Sequence, residues 1–254
     1  MSDVGLARRQ VVAEQKSFWR NPAAAGFTII FPLMLLVVFA SLNSGNRLKE
    51  LGNIRFIEFY VPGILAYAVI AACFMSLAMN LTRQRDEGIL KRKRATPLPA
   101  WALIAGLVGS AIVIAFVLSV ATIAVGMILY GNHAPGHPLW LVLVIVLGAV
   151  TFASLGVAIT AVIPNADAAP AIINIVVLPL VFLSGTFFPI ANPTLDNISN
   201  LFPVRPFQQA LFDSFNPSHN VAHPGGRPLL TLGLWAVFGV AVAARTFRWD
   251  RRGQ

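Results

Sequence analysis

Four histidines, His133, His137, His219 and His223, form two i, i+4 pairs, the spacing at which two imidazoles on one helical turn can share a zinc ion. Pro135-Gly136 breaks the first pair as a helix, and neither pair has a nearby cysteine or a clear carboxylate cluster, so they read as loop histidines and no metal is expected. Gly131 and Gly136 have the spacing of a phosphate-cradling loop, but His137-Pro138 follow where Lys and Ser/Thr are required. Ser184-Gly185 lies in apolar sequence without a basic partner, which argues against a serine nucleophile. The single Cys73 excludes a disulfide framework and any multi-cysteine metal or cluster site. The expectation is a chain with no catalytic residues and no bound cofactor.

The remaining chemistry is that of recognition. Arg83-Gln84-Arg85-Asp86-Glu87-Gly88-Ile89-Leu90-Lys91-Arg92-Lys93-Arg94-Ala95-Thr96-Pro97 packs six cations into one polar stretch. Anchoring on the cytoplasmic side of a membrane explains the number of cations. Their order asks for more: Asp86 and Glu87 open the segment, Ile89 and Leu90 form an apolar pair, cations close it and Thr96-Pro97 stops it. That is the pattern of a short helix aligned with its own dipole, a lever continuous with the elements on either side. A second basic stretch, residues 1–22, places Val4, Ala7, Val11 and Phe18 at helical spacings, with Glu14 and the cations Arg8, Arg9, Lys16 and Arg20 mostly elsewhere around the helix. It reads as an amphipathic helix on a membrane surface, its cations toward lipid phosphates; a solvated basic tail is the plainer alternative. Asn21-Pro22 supplies a cap and first residue for the next helix.

The elements that must carry these segments follow from composition. Of 254 residues, 57% are hydrophobic and 11% charged, with a mean hydropathy of +0.73, far from an ordinary soluble domain. A bilayer is crossed by roughly 20 apolar residues in a helix. Six stretches qualify: Ala23 to Leu42, Tyr60 to Asn80, Ala100 to Tyr130, Leu139 to Val162, Ala168 to Phe187 and Leu229 to Ala244. The 72 residues from Ala95 to Ala166 contain no Asp, Glu, Lys or Arg. Placing both termini and the second and fourth loops in the cytoplasm puts 14 cations inside and 5 outside, the distribution the positive-inside rule requires. A leader ending at Val38-Phe39-Ala40 is the alternative for the first span, and it leaves the later topology unchanged. The net charge of +9 is concentrated beside the spans, which argues for lipid rather than nucleic acid as its counterpart. Asp167 beside Pro170 reads as the cap of the fifth span. Asn80, Thr122, Thr151 and Asn174 read as helix-to-helix hydrogen bonding, with cargo contact as the other possibility. Between the fifth and sixth spans, Gly185, Pro189, Pro193, Pro203 and Pro206 divide residues 184–228 too finely for a span, while Phe187, Phe188, Phe202, Phe207 and Phe212 suit interfacial depth.

Glu87-Gly88-Ile89-Leu90-Lys91-Arg92-Lys93-Arg94-Ala95-Thr96-Pro97-Leu98 resembles the acidic-Gly start, apolar pair, basic stretch and Thr/Ser-Pro stop between the second and third spans of type 2 ABC exporter permeases, the class of drug-resistance and polysaccharide-export permeases. The likeness extends to the amphipathic start, the six spans, Leu183-Ser184-Gly185-Thr186-Phe187-Phe188-Pro189, Leu201-Phe202-Pro203 and Pro206-Phe207-Gln208-Gln209-Ala210-Leu211, covering essentially the whole chain. Lys93 departs from it, standing where many members are apolar. The resemblance implies an all-α polytopic permease domain over residues 1–254, with a coupling segment at 81–99 and re-entrant or interfacial helices over 184–228. It implies that Glu87, Gly88, Ile89, Leu90, Arg92 and Arg94 dock on a separate ATP-binding subunit, which supplies the ATP and Mg²⁺ chemistry. It further implies that Ser184, Gly185, Phe187, Phe188 and Phe207 shape an outer gate or path. Two permeases and two ATPases are expected, exporting a hydrophobic drug or lipid-like molecule. A gradient-driven carrier or channel is the alternative, weakened by the absence of carboxylates within spans; a non-transporting scaffold is a third.

Overall fold

The computed structural model describes residues 3–95, 99–187, 193–215 and 226–246. Thr96-Pro97-Leu98, Phe188, Pro189, His219, His223 and Arg248 to Arg252 lie outside them. Helix α1 (Asp3–Trp19) precedes α2 (Pro22–Leu42), and the expected cap between them forms: the Asn21 side chain accepts from the Ala24 N–H at 3.3 Å, with Pro22 as the first helical residue. A two-residue antiparallel hairpin, β1 (Arg47–Leu48) and β2 (Ile54–Arg55), leads into α3 (Phe56–Ile70), which runs through a π-helical turn, Ala71–Ser76, into α4 (Leu77–Asp86). The rest comprises α5 (Ile89–Arg94), α6 (Ala100–Tyr130), α7 (Pro138–Ile159), α8 (Ala169–Leu183), α9 (Pro193–Ser199), α10 (Val204–Phe215) and α11 (Gly226–Thr246).

Among the described residues, five helices are long and apolar enough to cross a membrane: Pro22–Leu42, Phe56–Asp86, Trp101–Tyr130, Pro138–Ile159 and Gly226–Thr246. The continuous α3-to-α4 rod is the axis of the bundle; Val61, Ile64, Leu65, Ala68 and Val69 are all fully buried. The peripheral helices turn apolar side chains outward, Phe27, Ile30 and Met34 on α2 and Leu234, Val237 and Phe238 on α11, as lipid-facing helices do.

The fifth expected span takes a different form. At 15 residues α8 reaches only about 22 Å of the ~30 Å hydrocarbon thickness. Its end reaches the middle of α3, where a Cβ at Gly63 would collide with the Thr186 carbonyl and the Tyr67 and Phe187 rings meet at 5.7 Å. Beyond it α10 packs against α3, α7 and α11. Near its start Phe207 packs against Phe152 and the bare face of Gly148, while near its end the Ser214 carbonyl accepts from the His137 N–H at 3.1 Å. The fifth span is therefore shorter than expected, and the backbone that leaves α8 is buried at Ser184, Gly185 and Thr186, where irregular backbone is covered by protein. Gly185, at φ +74, stands just past the end of α8, while Pro179 is accommodated inside the helix.

Candidate functional site

At the end of the bundle shared by α1, α5 and the α7–α8 turn, polar groups sit where helices converge. The α4 helix does not continue into α5. Its last turn ends at Asp86, Glu87 forms the cap, and Gly88 adopts φ +69, a left-handed conformation that costs an L-residue roughly 1–2 kcal/mol. The expectation that Asp86 and Glu87 open the cationic helix is corrected: they close α4, and α5 begins after them. Asp86 instead accepts from the Ala166 N–H at 2.6 Å, and the Arg85 guanidinium, buried, donates to the carbonyls of Thr160 at 2.8 Å and Ile163 at 2.7 Å. A cation there answers the partial negative charge where α7 ends. Asp167 is exposed and does not cap α8; Ala168 is the N-cap without a side-chain bond, and the Asn165 side chain accepts from the Ala168 N–H at 2.8 Å in the turn before the helix.

The unusual Lys93 points inward. Its ammonium donates to Glu14 of α1 at 2.7 Å and to Gln84 of α4 at 3.0 Å, and Gln10 donates to the same carboxylate at 3.0 Å. Glu14 is 4% exposed, so the face of α1 that meets the bundle is Gln10, Val11, Glu14 and Phe18, and Val4, expected on the apolar face, is exposed. Close approach is possible because Gly106 and Gly109 on α6 leave room for Gln10 and Val11, while Gln15 donates to the Ser110 carbonyl and hydroxyl. The cations expected at a membrane surface, Arg8, Arg9, Lys16 and Arg20, are exposed.

On α5 the expected docking residues separate. Leu90 is 1% exposed and belongs to the core, so it anchors the segment and is not available as contact surface. Ile89 is half-buried. Glu87, Lys91, Arg92 and Arg94 are exposed, with Arg83 Nε 4.0 Å from Glu87 on the turn before them. The result is a short, mostly basic ridge standing on an apolar root and tied from behind to α1 and α4.

At the opposite end, Ser184 and Thr186 are buried with their hydroxyls hydrogen-bonded, Phe187 sits between Tyr67 and Phe182, and Phe207 is fully buried. Arg205 organises this end, gripping Asp196 through two nitrogens at 2.6 and 3.0 Å and donating to the Ser184 carbonyl and the Gln208 side chain. Residue types alone did not reveal Arg205, Asp196, Glu14 or Arg85; the one usable signal was the anomalous Lys93, a cation that needed an inward partner. Thr151 bridges helices as expected, donating to Leu147 and Leu232 carbonyls.

A profile described as ABC-2 type transporter matches residues 8–215. The chain is 21% identical over 178 residues to the Inner membrane transport permease YadH of Escherichia coli, covering 69% of each protein, and equally similar to its Shigella flexneri counterpart. It is 22% identical over 157 residues to the Probable multidrug ABC transporter permease YbhR of Escherichia coli, covering 61% of this chain and 43% of that relative.

Proposed function

The chain belongs to the ABC-2 type transporter family, and on that premise we propose that Glu87, Lys91, Arg92 and Arg94 form the surface by which it engages its ATPase. It is a multi-pass membrane protein, the permease subunit of an ABC exporter, and ATP hydrolysis is carried out by a separate ATP-binding subunit. The observation that carries the docking proposal is the exposed basic ridge of α5, rooted by Leu90 and bonded through Lys93 to α1. A ridge held this way transmits displacement to the bundle instead of bending under it.

Two copies of the permease enclose the path and two ATPases, each using ATP and Mg²⁺, dock beneath. Residues 1–254 act as one permease unit. Its α1 and α5 face the cytoplasm and the α8–α10 segment faces outward, as the 14-to-5 cation distribution supports. The cargo is a hydrophobic drug or lipid-like molecule, a reading supported by the charge-free spans and by the multidrug name of one relative. Ser184, Gly185, Phe187 and Phe207 belong to the outer gate, with Phe188 beside them in sequence.

Charge reversal at Arg92 tests the docking surface. Opposed charges broken at a partly desolvated interface cost about 2–5 kcal/mol, so Arg92→Glu lowers capture of the ATPase by tenfold or more while insertion and thermal stability stay unchanged. Normal capture and normal transport-coupled hydrolysis with Arg92→Glu and Glu87→Lys would remove α5 from the interface.

A further inference from the structure

Beside the docking ridge lies a cavity of about 310 Å³, within the ~300–1,000 Å³ range of small-molecule sites. It opens between the α1–α2 junction and the α3-to-α4 rod and is built in two halves. Further in, Phe31, Tyr67 and Met75 give an aromatic and thioether wall, with the exposed Phe27 and Met79 at its edge, the adaptable surface that accommodates varied apolar chains. Toward the α1 end the lining becomes Ser17, Asn21, Asn80 and Arg83. A second depression, lined by Lys16, Arg20 and the same Arg83 and Asn21, continues outward from it. The carboxylate facing this mouth is Glu87, whose Oε1 lies 4.0 Å from Arg83 Nε, a long and solvent-exposed pairing. An apolar pocket with three cations at its rim has the charge distribution of an anionic amphiphile's complement.

The rod itself is reshaped at this level. Ala71, Met75 and Ser76 all face the cavity, and all belong to the π-helical turn Ala71–Ser76. A π turn inserts one residue into the helical repeat, rotating the side chains beyond it, and such turns concentrate at functional sites. The bulge is accommodated on its other side by Gly156 of α7, where a Cβ would come within 3.0 Å of the Phe74 carbonyl.

We propose that this cavity binds one amphipathic anion, an alkyl chain bearing a phosphate or carboxylate head. The head sits among Arg83, Lys16 and Arg20 and the chain runs inward to Phe31, Tyr67 and Met75. This deepens the exporter reading, on which its identity as cargo rests, by naming the charge of the cargo's head. The same chemistry is offered by an anionic phospholipid of the surrounding leaflet.

The probe is a diazirine-bearing dodecyl phosphate, photolysed on the full-length permease in nanodiscs of zwitterionic phosphatidylcholine, with labelled peptides mapped by mass spectrometry. Label is expected on residues 24–32 and 67–79. Dodecyl phosphate is expected to compete about tenfold better than dodecyltrimethylammonium, because a charge-assisted contact is lost with the cation. Lys16→Gln with Arg83→Gln, both exposed and outside the core, is expected to lower labelling about tenfold, and Ala71→Leu to block it by filling the cavity. Label spread over the lipid-facing side of α11, equal competition by the cation, or labelling indifferent to Lys16→Gln and Arg83→Gln would each overturn the site. If Ala71→Leu fails to fold, the exposed double variant still decides. Loss of label on adding the ATPase and ATP identifies cargo; label that persists but is displaced by phosphatidylglycerol identifies a resident lipid. Failure to bind any ATPase would refute the exporter reading without touching the labelling result.

Discussion

At the α5 end of the bundle, Arg85 and Lys93 reach partners 75, 78 and 79 residues away in sequence; at the opposite end, Arg205 finds its partners within 21 residues. Both ends use a cation to satisfy carbonyls and a carboxylate, yet the cations tie different things together. Arg85, Asp86 and Lys93 join α1, α4, α5 and the α7–α8 turn, so displacement of α5 is felt by helices distributed along the chain. Arg205, Asp196, Gln208 and Ser184 close one local fold of the chain, α8 to α10, on itself. The first arrangement suits transmission and the second suits sealing. Long-range wiring is also the more fragile of the two, since each cation removed leaves orphaned groups on several elements.

The largest expected effect is therefore at Arg85. Arg85→Leu strips buried carbonyls of Thr160 and Ile163 of their donors and leaves Asp86 without its neighbouring cation, a loss of about 3–5 kcal/mol. Thermal unfolding in detergent should shift down by several degrees, with the α7–α8 turn losing hydrogen-exchange protection first. An unchanged melting temperature would show that the convergence of these elements rests on apolar packing alone.

Next comes the Glu14–Lys93 pair, where a double-mutant cycle separates what a single deletion confounds. Lys93→Met abandons a carboxylate that is 4% exposed and should cost about 3 kcal/mol. Glu14→Leu combined with Lys93→Met restores most of that stability, because a buried pair replaced by apolar residues of similar volume is often neutral. The repaired variant separates roles: if the pair transmits motion, it folds normally and binds the ATPase, yet its transport-coupled hydrolysis falls. Full coupling in the repaired variant would make the pair a packing element only. At the sealing end, Arg205→Ala should cost about 2 kcal/mol, since charged hydrogen bonds to Asp196 and Ser184 are lost from a site that remains partly wet. ATPase capture should stay at the normal level. A fall in capture comparable to that of Arg92→Glu would mean the two ends are not independent.

Much of this architecture was legible in the residues because bilayer crossing is a summed property: uninterrupted apolar length marks α2, α3 with α4, α6, α7 and α11 whatever their neighbours. The early end of span five was not, since Pro179 and Gly185 read equally well as a kink and as an end, and only the fold, in which α8 runs through Pro179 and stops before Gly185, decides between them. The capping role of Asn21 is a local matter and emerged correctly. Glu14 could not be placed from periodicity, for a helix packed against glycines can bury a carboxylate if a lysine from another helix arrives to meet it. That meeting is a tertiary fact, and Lys93 carried its only trace.

The smallest effect concerns the outward side of α1. Arg8 is exposed while Gln10 and Val11 pack against Gly106 and Gly109 of α6, so one helix is divided between an exposed cationic side and a side packed on protein. Attraction of a surface cation to an anionic leaflet is worth about 1 kcal/mol and is screened by salt. The contacts to α6 are short and partly buried, and salt acts on them little. Hydrogen exchange of α1 in nanodiscs should therefore show protection that rises when phosphatidylglycerol replaces phosphatidylcholine. Arg8→Gln should lower the lipid-dependent part by about fivefold, the equivalent of that 1 kcal/mol, and high salt should abolish it in both proteins. The lipid-independent part should survive the substitution, because Gln15 and Ser110 remain bonded. Protection identical in both lipids at low salt would mean that α6 alone holds α1, leaving Arg8 to bias the direction of insertion.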